Sequence, residues 1–346
     1  MNTHLIIPPN YCSKLNLKET EKAIRQIKEF FQTNLAVELH LIRVTAPLFV
    51  KAGTGINDDL TGVEQPVSFL VKALNQTRFE IVQSLAKWKR MALADYGFKP
   101  GEGIYCDMNA IRPDETLDNL HSIYVDQWDW ERVISPQERT LTFLKSMVRK
   151  IYAVIRRTEH YVCQQYDVIE PILPEEITFI HSEELEARYP QLTPAEREKR
   201  ICREHGSVFV IGIGGNLKNN LPHDGRAPDY DDWSTPTERG FHGLNGDILV
   251  YYPLLDMAYE LSSMGIRVDP LALERQLALQ NKTERKQLLF HRRLLAGELP
   301  LSIGGGIGQS RLCMFYLRKA HIGEIQAGIW PEEMIQQTRA NNIFLL

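Results

Sequence analysis

Residues 303–312 read Ile-Gly-Gly-Gly-Ile-Gly-Gln-Ser-Arg-Leu, and the apolar pattern that follows predicts a helix over 309–319. Glycine lets backbone approach a ligand closely, and a helix N-terminus favours anions. Arg311, in the first helical turn, has the planar donor set that holds a phosphate or stacks on a base. The spacing matches neither the phosphate loop of nucleotide hydrolases nor the dinucleotide-binding glycine pattern. The residues themselves leave two interpretations open: an anion-binding turn, or a flexible loop that caps a helix.

A second pattern lies in a predicted strand–loop–strand unit, with strands at 104–109 and 121–131. Because side chains alternate along a strand, Gln127 and Asp129 share one face and Trp128 and Trp130 share the other. An amide and a carboxylate after two apolar residues on one face suit the floor of a binding site, although a strand end that reaches solvent explains them too. The two tryptophans are predicted to be core residues.

The remaining pattern predicts an α+β fold with a mainly antiparallel sheet. Asn16 is a good cap for a first helix over 16–34, and Ser135 and Thr193 start later helices with the same signals. The long segment 214–240 is rich in Gly, Asn, Asp and Pro, and loops of this length are usually functional or disordered. No stretch has the composition of a linker, so residues 1–346 are predicted to form a single domain. The other predicted elements are strands at 37–41, 78–84, 208–213, 246–252 and 258–268 and helices over 135–161, 193–206 and 270–296, the last with a break.

Composition excludes several classes of protein. The chain has 346 residues and a formal net charge of -4, which argues against a nucleic-acid partner because phosphate contacts need a basic surface. Its five cysteines show no paired spacing, which is typical of reduced thiols in a cytosolic protein. The sequence has no apolar run of membrane-spanning length and no signal-peptide pattern. We therefore expect a cytoplasmic protein without a membrane partner.

Carboxylates near the long loop are candidates for a metal site. Asp247 and Glu260 lie on predicted neighbouring strands, and Mg²⁺ that binds with a nucleotide takes one or two carboxylates plus phosphate oxygens. The acidic stretch 224–233 is too irregular for a calcium loop and is more often a solvated loop. Residues 84–90, Ser-Leu-Ala-Lys-Trp-Lys-Arg, carry no signal alone, because a lysine is usually a solvated charge.

Taken together, these segments resemble a known family. The first helix and the strand into Pro47 resemble the dimer-forming first motif of class II aminoacyl-tRNA synthetases, the unit around Arg112 their second, and residues 304–311 their third. Longer runs resemble the ammonia-dependent, AMP-forming asparagine synthetases, or aspartate–ammonia ligases, over nearly the whole chain. These runs are SLAKWKR (84–90), YVDQWDWER (124–132), RAPDYDDWSTP (226–236), LNGDILV (244–250), ELSSMGIRV (260–268) and IGGGIGQSRL (303–312).

The resemblance implies a class II synthetase-like antiparallel sheet flanked by helices, a homodimer, and roles for individual residues. Arg112 and Arg311 would hold the α-phosphate region of ATP, with Asp231 and Gly306 also at the nucleotide, and Asp247 and Glu260 would bind Mg²⁺. Asp58 would lie near the carboxamide end, where the local sequence leaves Asp59 as a rival. The implied aspartate pocket consists of Ser84, Lys89, Gln127, Asp129, Ser262 and Ser263.

The implied reaction joins L-aspartate and ammonia at the expense of ATP. The β-carboxylate attacks the α-phosphorus, pyrophosphate leaves, and ammonia displaces AMP from the β-aspartyl-adenylate. Asn2 stands where an N-terminal cysteine nucleophile would be needed for glutamine use, so free ammonia is the expected nitrogen source. Two alternatives are an aspartyl-tRNA synthetase-like adenylating enzyme and a non-catalytic regulatory relative. Intact Arg112, Arg311, Asp247 and Glu260 argue against the second.

Overall fold

The structure is a computed structural model that describes residues 5–58, 60 and 64–346. An eight-stranded sheet with strand order β1-β5-β6-β11-β10-β9-β8-β7 forms its centre, and β2-β4-β3 form a separate three-stranded sheet. The large sheet is antiparallel except at its two ends, where β1 pairs with β5 and β7 with β8 in parallel. The predicted α+β class with a mainly antiparallel sheet is confirmed. The strands are β1 (Leu41–Arg43), β2 (Phe49–Lys51), β3 (Ser68–Val71), β4 (Thr77–Ile81), β5 (Gly103–Ile111), β6 (Tyr124–Val133), β7 (Thr178–His181), β8 (Ser207–Ile211), β9 (Asn245–Tyr252), β10 (Met257–Ile266) and β11 (Ser302–Gly308).

Helices cover the large sheet and close its main core. Buried side chains of α1, α3 and α8 pack with Trp128, Trp130 and other apolar strand residues in one cluster, so the prediction that both tryptophans are core residues is confirmed. Capping boxes at Asn16 and Thr193 start α1 and α5 as predicted. The helices are α1 (Leu17–Leu39), α2 (Ala86–Asp95), α3 (Leu141–Gln165), α4 (Ser182–Arg188), α5 (Pro194–His205), α6 (Pro270–Leu279), α7 (Leu289–Leu295), α8 (Gln309–Tyr316) and α9 (Glu332–Ala340).

The first predicted strand is wrong over its N-terminal half. Helix α1 continues to Leu39, because Leu35 and Leu39, four residues apart, are both fully buried, whereas Val37 is 74% exposed. Spacing by four is the helical period, and the alternation of Val37, Leu39 and Leu41 imitated a strand. Only Leu41–Arg43 forms β1.

The helix predicted from Ser135 also begins later than expected. Ser135 and Glu138 form a capping box, but it closes a single 3-10 turn over Pro136–Glu138. A second cap, Thr140, then starts α3, which ends at Gln165. A capping signal therefore identified a real turn, although the long helix starts from the next cap along the chain.

The glycine-rich segment is a central strand and not the predicted loop. Residues Ser302–Gly308 form β11 between β6 and β10. A methyl group on Gly304 would lie 2.0 Å from Glu131 Oε2, and one on Gly306 would lie 2.4 Å from Gln127 Oε1. These glycines thus leave room in the sheet for polar side chains of β6.

We expect Gly304→Ala to destabilise the fold by about 1–3 kcal/mol, as overpacking in a well-packed core does. Thermal unfolding measures this loss. Gly215→Ala is the matched control, because a methyl group there would make only ordinary contacts, at 3.5 Å or more. Equal melting temperatures for Gly304→Ala and the unmodified protein would contradict the interpretation of β11.

A β-bulge interrupts β10 between Glu260 and Ser262. An extra residue in one strand changes which face the following side chains occupy. Glu260 and Ser263 are three residues apart and would otherwise lie on opposite faces, yet both line the same cavity. The bulge therefore aligns two halves of β10 on one site.

Candidate functional site

A cavity of about 380 Å³ lies over the centre of the large sheet. Strands β6, β10 and β11 form its floor, and the irregular loop after β8 contributes part of its wall. The cavity gathers ten residues singled out in the sequence, from positions far apart in the chain. They are Asp58, Ser84, Arg112, Gln127, Asp129, Asp231, Glu260, Ser263, Gly306 and Arg311.

Two guanidinium groups reach this cavity from different elements. Arg112 follows β5, and its NH2 donates to Gln83 O at 3.2 Å. Arg311 lies in the first turn of α8, where its NH1 is 3.4 Å from Glu260 O and 3.7 Å from Glu260 Oε2. Tyr259 Oη donates to Arg311 O at 2.6 Å and fixes that turn. The arrangement presents two permanently charged planar donors to an anionic ligand.

The amino-acid end of the floor carries a buried charge pair. Asp129 lines the cavity and accepts a hydrogen bond from Lys89 Nζ. Lys89 is fully buried beneath the floor and also donates to Trp130 O at 2.9 Å and Gly305 O at 3.4 Å. Ser84 accepts from Ala86 N at 3.2 Å, at the start of α2. Lys89 is therefore placed to orient Asp129 from below.

A second charge cluster under the same floor was not predicted. Arg267 lines the cavity, and its Nε and NH2 donate to Glu131 at 2.8–3.1 Å, while its NH1 donates to Asp231. Burial would raise the pKa of Glu131, but the Arg267 charge holds it below its usual value. Burial raises the pKa of Asp231 despite Arg267. The only sequence pattern that pointed to this cluster is the position of Glu131, which shares the predicted strand face of Gln127 and Asp129.

The two predicted metal carboxylates stand in different environments. Asp247 is buried and accepts from Arg226 NH2 at 2.5 Å, whereas the Glu260 side chain is 43% exposed. Burial raises the pKa of Asp247 to about 7, with Arg226 opposing and Glu260 adding to the rise. Its Oδ1 has no hydrogen-bond partner among the described residues. An orphaned carboxylate oxygen near a second carboxylate fits a hard cation.

The protein side chains do not form a complete metal cage. Within residues 5–58, 60 and 64–346, no three His, Cys, Asp or Glu side chains group as metal ligands. Asp247 and Glu260 therefore fit a Mg²⁺ that takes most of its ligands from phosphate and water. Arg226, which also pairs with Asp224 at 2.6 Å, was not singled out in the sequence, although it lies in one of the runs that carry the resemblance.

Three further predicted residues have specific placements. Ser262 is buried, and its hydroxyl has no hydrogen-bond partner among the described residues, while Ser263 lines the cavity. Asp58 is buried at the cavity edge, where Gln83 Nε2 donates to its carbonyl at 3.1 Å. Asp59, the rival to Asp58, lies outside the described residues.

The opposite end of the cavity is built from the β5–β6 connection and the segment after α8. Ser122 Oγ donates to Gln326 Oε1 at 2.6 Å, and Gln326 Nε2 lies 3.4 Å from Ser310 Oγ. Asp126 accepts from Ser310 N at 2.9 Å and caps α8. Gln326 was not predicted, because it lies outside every motif.

Among the described residues, no helix is both long enough and apolar enough to cross a membrane.

Comparison with known proteins identifies close relatives over the full chain. A family model described as aspartate–ammonia ligase matches residues 18–342. An aspartate–ammonia ligase of Parabacteroides distasonis is 61% identical over 344 residues, covering 99% of this chain and 100% of the relative. The corresponding ligase of Clostridium perfringens is 59% identical over 342 residues, covering 99% of each chain.

Solved structures share the fold at low sequence identity. Asparaginyl-tRNA synthetase from Pyrococcus horikoshii, complexed with asparaginyl-adenylate, superposes with a TM-score of 0.64 at 16% identity, covering 90% of this chain and 70% of that one. Aspartyl-tRNA synthetase from Entamoeba histolytica gives a TM-score of 0.61 at 13% identity, covering 89% of this chain and 58% of that one. These likenesses confirm the expected class II synthetase-like fold.

Proposed function

The chain belongs to the aspartate–ammonia ligase family, and from that premise we propose that it makes L-asparagine from L-aspartate, ammonia and ATP. The intermediate is a β-aspartyl-adenylate, and the products are asparagine, AMP and pyrophosphate. The observation that supports this proposal best is the single cavity that brings Arg112 and Arg311 together with Asp129 and Gln127. Such a cavity can hold a nucleotide phosphate and a charged amino acid side by side.

Activation of a carboxylate needs charge stabilisation at phosphorus. The β-carboxylate of aspartate attacks the α-phosphorus, and negative charge grows on the phosphate oxygens. Arg112 and Arg311 hold these oxygens, and Asp231 and Gly306 line the same nucleotide region. Asp247 and Glu260 would hold Mg²⁺, which neutralises phosphate charge when it is bound.

The substrate amino acid is recognised by its charges. Asp129 accepts the α-ammonium, with Gln127 beside it on the strand face. Lys89 supports Asp129 from beneath the floor, and Arg267, which lines the cavity above Glu131, is the cation that meets the α-carboxylate. Ser84 and Ser263 line this part of the pocket. Ser262, also expected there, is buried on the other face of β10, opposite the core residue Ile307. The β-carboxylate is left without a strong clamp and is free to attack.

Nitrogen enters in the second half-reaction. Asp58, at the cavity edge, accepts a proton from the incoming ammonium or from the tetrahedral intermediate. Ammonia then displaces AMP from the acyl carbon.

The proposal also covers the location, domain organisation and oligomeric state of the protein. We infer a cytoplasmic, single-domain subunit that works as a homodimer through α1 and β1. Strand β1 is at the end of the sheet, and it exposes Ile42 beside Val37 of α1. Apolar side chains exposed next to an open strand edge favour burial against a second copy.

Light scattering is expected to give a particle of twice the 39.8 kDa chain mass. Val37→Glu together with Ile42→Glu should shift the protein to monomers, because two charges would be buried at the interface. Val168→Glu, a change at an apolar residue that is also exposed, is the control. A stable, fully active monomer of the unmodified chain would contradict the dimer.

Aspartate-dependent exchange of pyrophosphate into ATP tests the function directly. The adenylate forms without ammonia, so we expect exchange with aspartate and ATP alone, and AMP with pyrophosphate in the full reaction. ADP and phosphate as stoichiometric products would refute the mechanism. Absence of exchange would refute adenylate formation, and charging of tRNA would support the synthetase alternative.

A further inference from the structure

A second cavity, of about 270 Å³, lies beside the first and shares Asp58 with it. Its other walls come from β2 and the residues after it, from α2, and from the segment before and within α7. Asp58 therefore forms part of the partition between the two cavities. A group that enters the second cavity meets this carboxyl without passing through the first.

The backbone at this partition is tied down. Asn57 Oδ1 accepts from Gln83 N at 2.9 Å and from Asp58 N at 3.0 Å, and its Nδ2 donates to Ile81 O at 3.1 Å. Gln83 O in turn accepts from Arg112. Asp58 is thus held in register with an arginine of the main cavity.

A buried charge cluster that the main site does not use surrounds the far side of Asp58. Asp229 is fully buried and accepts from Lys87 Nζ at 3.3 Å, Arg285 NH1 at 3.2 Å and His291 Nε2 at 3.0 Å. Lys87 Nζ also lies 3.9 Å from Asp58 Oδ1. Lys87 therefore bridges two carboxylates.

His291 offers an unused acceptor in this cavity. Its Nε2 faces a carboxylate, which only accepts, so Nε2 carries the proton. The other ring nitrogen, Nδ1, is buried and has no hydrogen-bond partner among the described residues. Nδ1 therefore presents a lone pair to a donor ligand.

The charge balance of the lining favours a small cation. Its described acidic residues are Asp58, Glu64, Glu80 and Asp229. Its described basic residues, apart from His291, are Lys51, Lys87 and Arg285. Four negative and three positive groups leave one net negative charge, which one ammonium ion would neutralise.

We propose that this second cavity is the ammonium site and the route of ammonia to the acyl-adenylate, an inference that rests on the proposed function. Ammonia attacks the adenylate, which occupies the main cavity at that stage, so a separate entrance serves the second half-reaction. NH₄⁺ donates to His291 Nδ1 and gives one proton to the Asp58 carboxylate. The resulting NH₃ forms the new C–N bond, the C–O bond to phosphate breaks, and the second proton leaves with AMP.

Leu288→Trp tests the route by filling the second cavity, which Leu288 lines. We expect the KM for ammonium to rise about tenfold or more, with the KM values for aspartate and ATP and the exchange rate within about twofold. Leu289→Trp is the matched control, because Leu289 is exposed and does not line the cavity. An unchanged ammonium KM in Leu288→Trp, or an equal loss of exchange activity, would overturn the proposal.

Thallium(I), a cation close to ammonium in size, gives a second test in the unmodified protein. Anomalous diffraction is expected to place it in the second cavity near Asp58 and His291, and ammonium should displace it. Thallium that binds only outside this cavity would overturn the site. Absence of exchange in the unmodified protein would refute the proposed function, and the thallium result would still decide whether the cavity binds the cation.

Discussion

Replacing Arg311 with lysine is expected to lower aspartate-dependent ATP–pyrophosphate exchange about tenfold or more, because loss of a charge-assisted pair costs about 1.5–3 kcal/mol. Lysine keeps the charge but loses the planar fork that meets two phosphate oxygens at once. Arg311 is well placed for that contact, since Tyr259 fixes its backbone and Glu260 lies beside its guanidinium. The loss should appear in kcat as well as in kcat/KM, because phosphate charge grows in the transition state.

The control for this change is Arg339→Lys, on the exposed last turn of α9. It should leave both the exchange rate and the melting temperature unchanged. Arg311→Lys should also keep the melting temperature within a degree or two of the unmodified protein, since its side chain is at the cavity surface. Near-normal exchange in Arg311→Lys would leave the α-phosphate role without support.

Asp129→Asn is expected to raise the KM for aspartate by a large factor, about 10–100-fold from the same 1.5–3 kcal/mol, while ATP binding stays nearly intact. The substitution preserves shape and removes the charge that we propose meets the α-ammonium. A site built to pair buried charges rejects a ligand when one partner is missing. Lys89 adds to the effect, because the variant leaves its ammonium with two backbone carbonyls and only Glu131, at 3.8 Å, as a carboxylate neighbour.

The same reasoning predicts that glutamate is a poor substrate, since its distal carboxylate misses the in-line position. Asp107→Asn serves as the control, because that carboxylate lies on β5 outside the cavity and pairs with Arg43. Melting temperatures separate a folding defect from a binding defect. A wild-type KM for aspartate in Asp129→Asn, or a defect mainly in ATP binding, would refute the assignment.

The features that the sequence predicted correctly depend on residues close together in the chain. The period of two along β6 placed Gln127 and Asp129 on one face and the tryptophans on the other, and the structure has this arrangement. The helix N-termini at Asn16 and Thr193 were also predictable from neighbouring residues, because a cap and its partner are three residues apart. The resemblance implied roles for further positions, and together with Gln127 and Asp129 ten predicted residues line one cavity.

The contacts that the sequence did not predict join distant residues. Arg267 and Glu131 are 136 positions apart, and only the register of β6, β11 and β10 brings them together. In that register, the absence of a side chain at Gly304 leaves space for Glu131 and Arg267. Taken from the sequence alone, the glycines indicated a loop. Asp229 likewise accepts hydrogen bonds from Lys87, Arg285 and His291, which lie in other segments of the chain.

The bulge divides β10 into two halves that contribute different side chains to the cavity. The half before it carries Glu260 and the half after it carries Ser263, and both line the cavity where we propose that nucleotide and aspartate bind. Removal of one residue at the bulge would turn the side chains of one half of β10 to the opposite face of the sheet. Glu260 and Ser263 would then no longer face the same cavity. Substitutions within either half leave the other in place. Amino-acid specificity can therefore be redesigned after the bulge without rebuilding the nucleotide end.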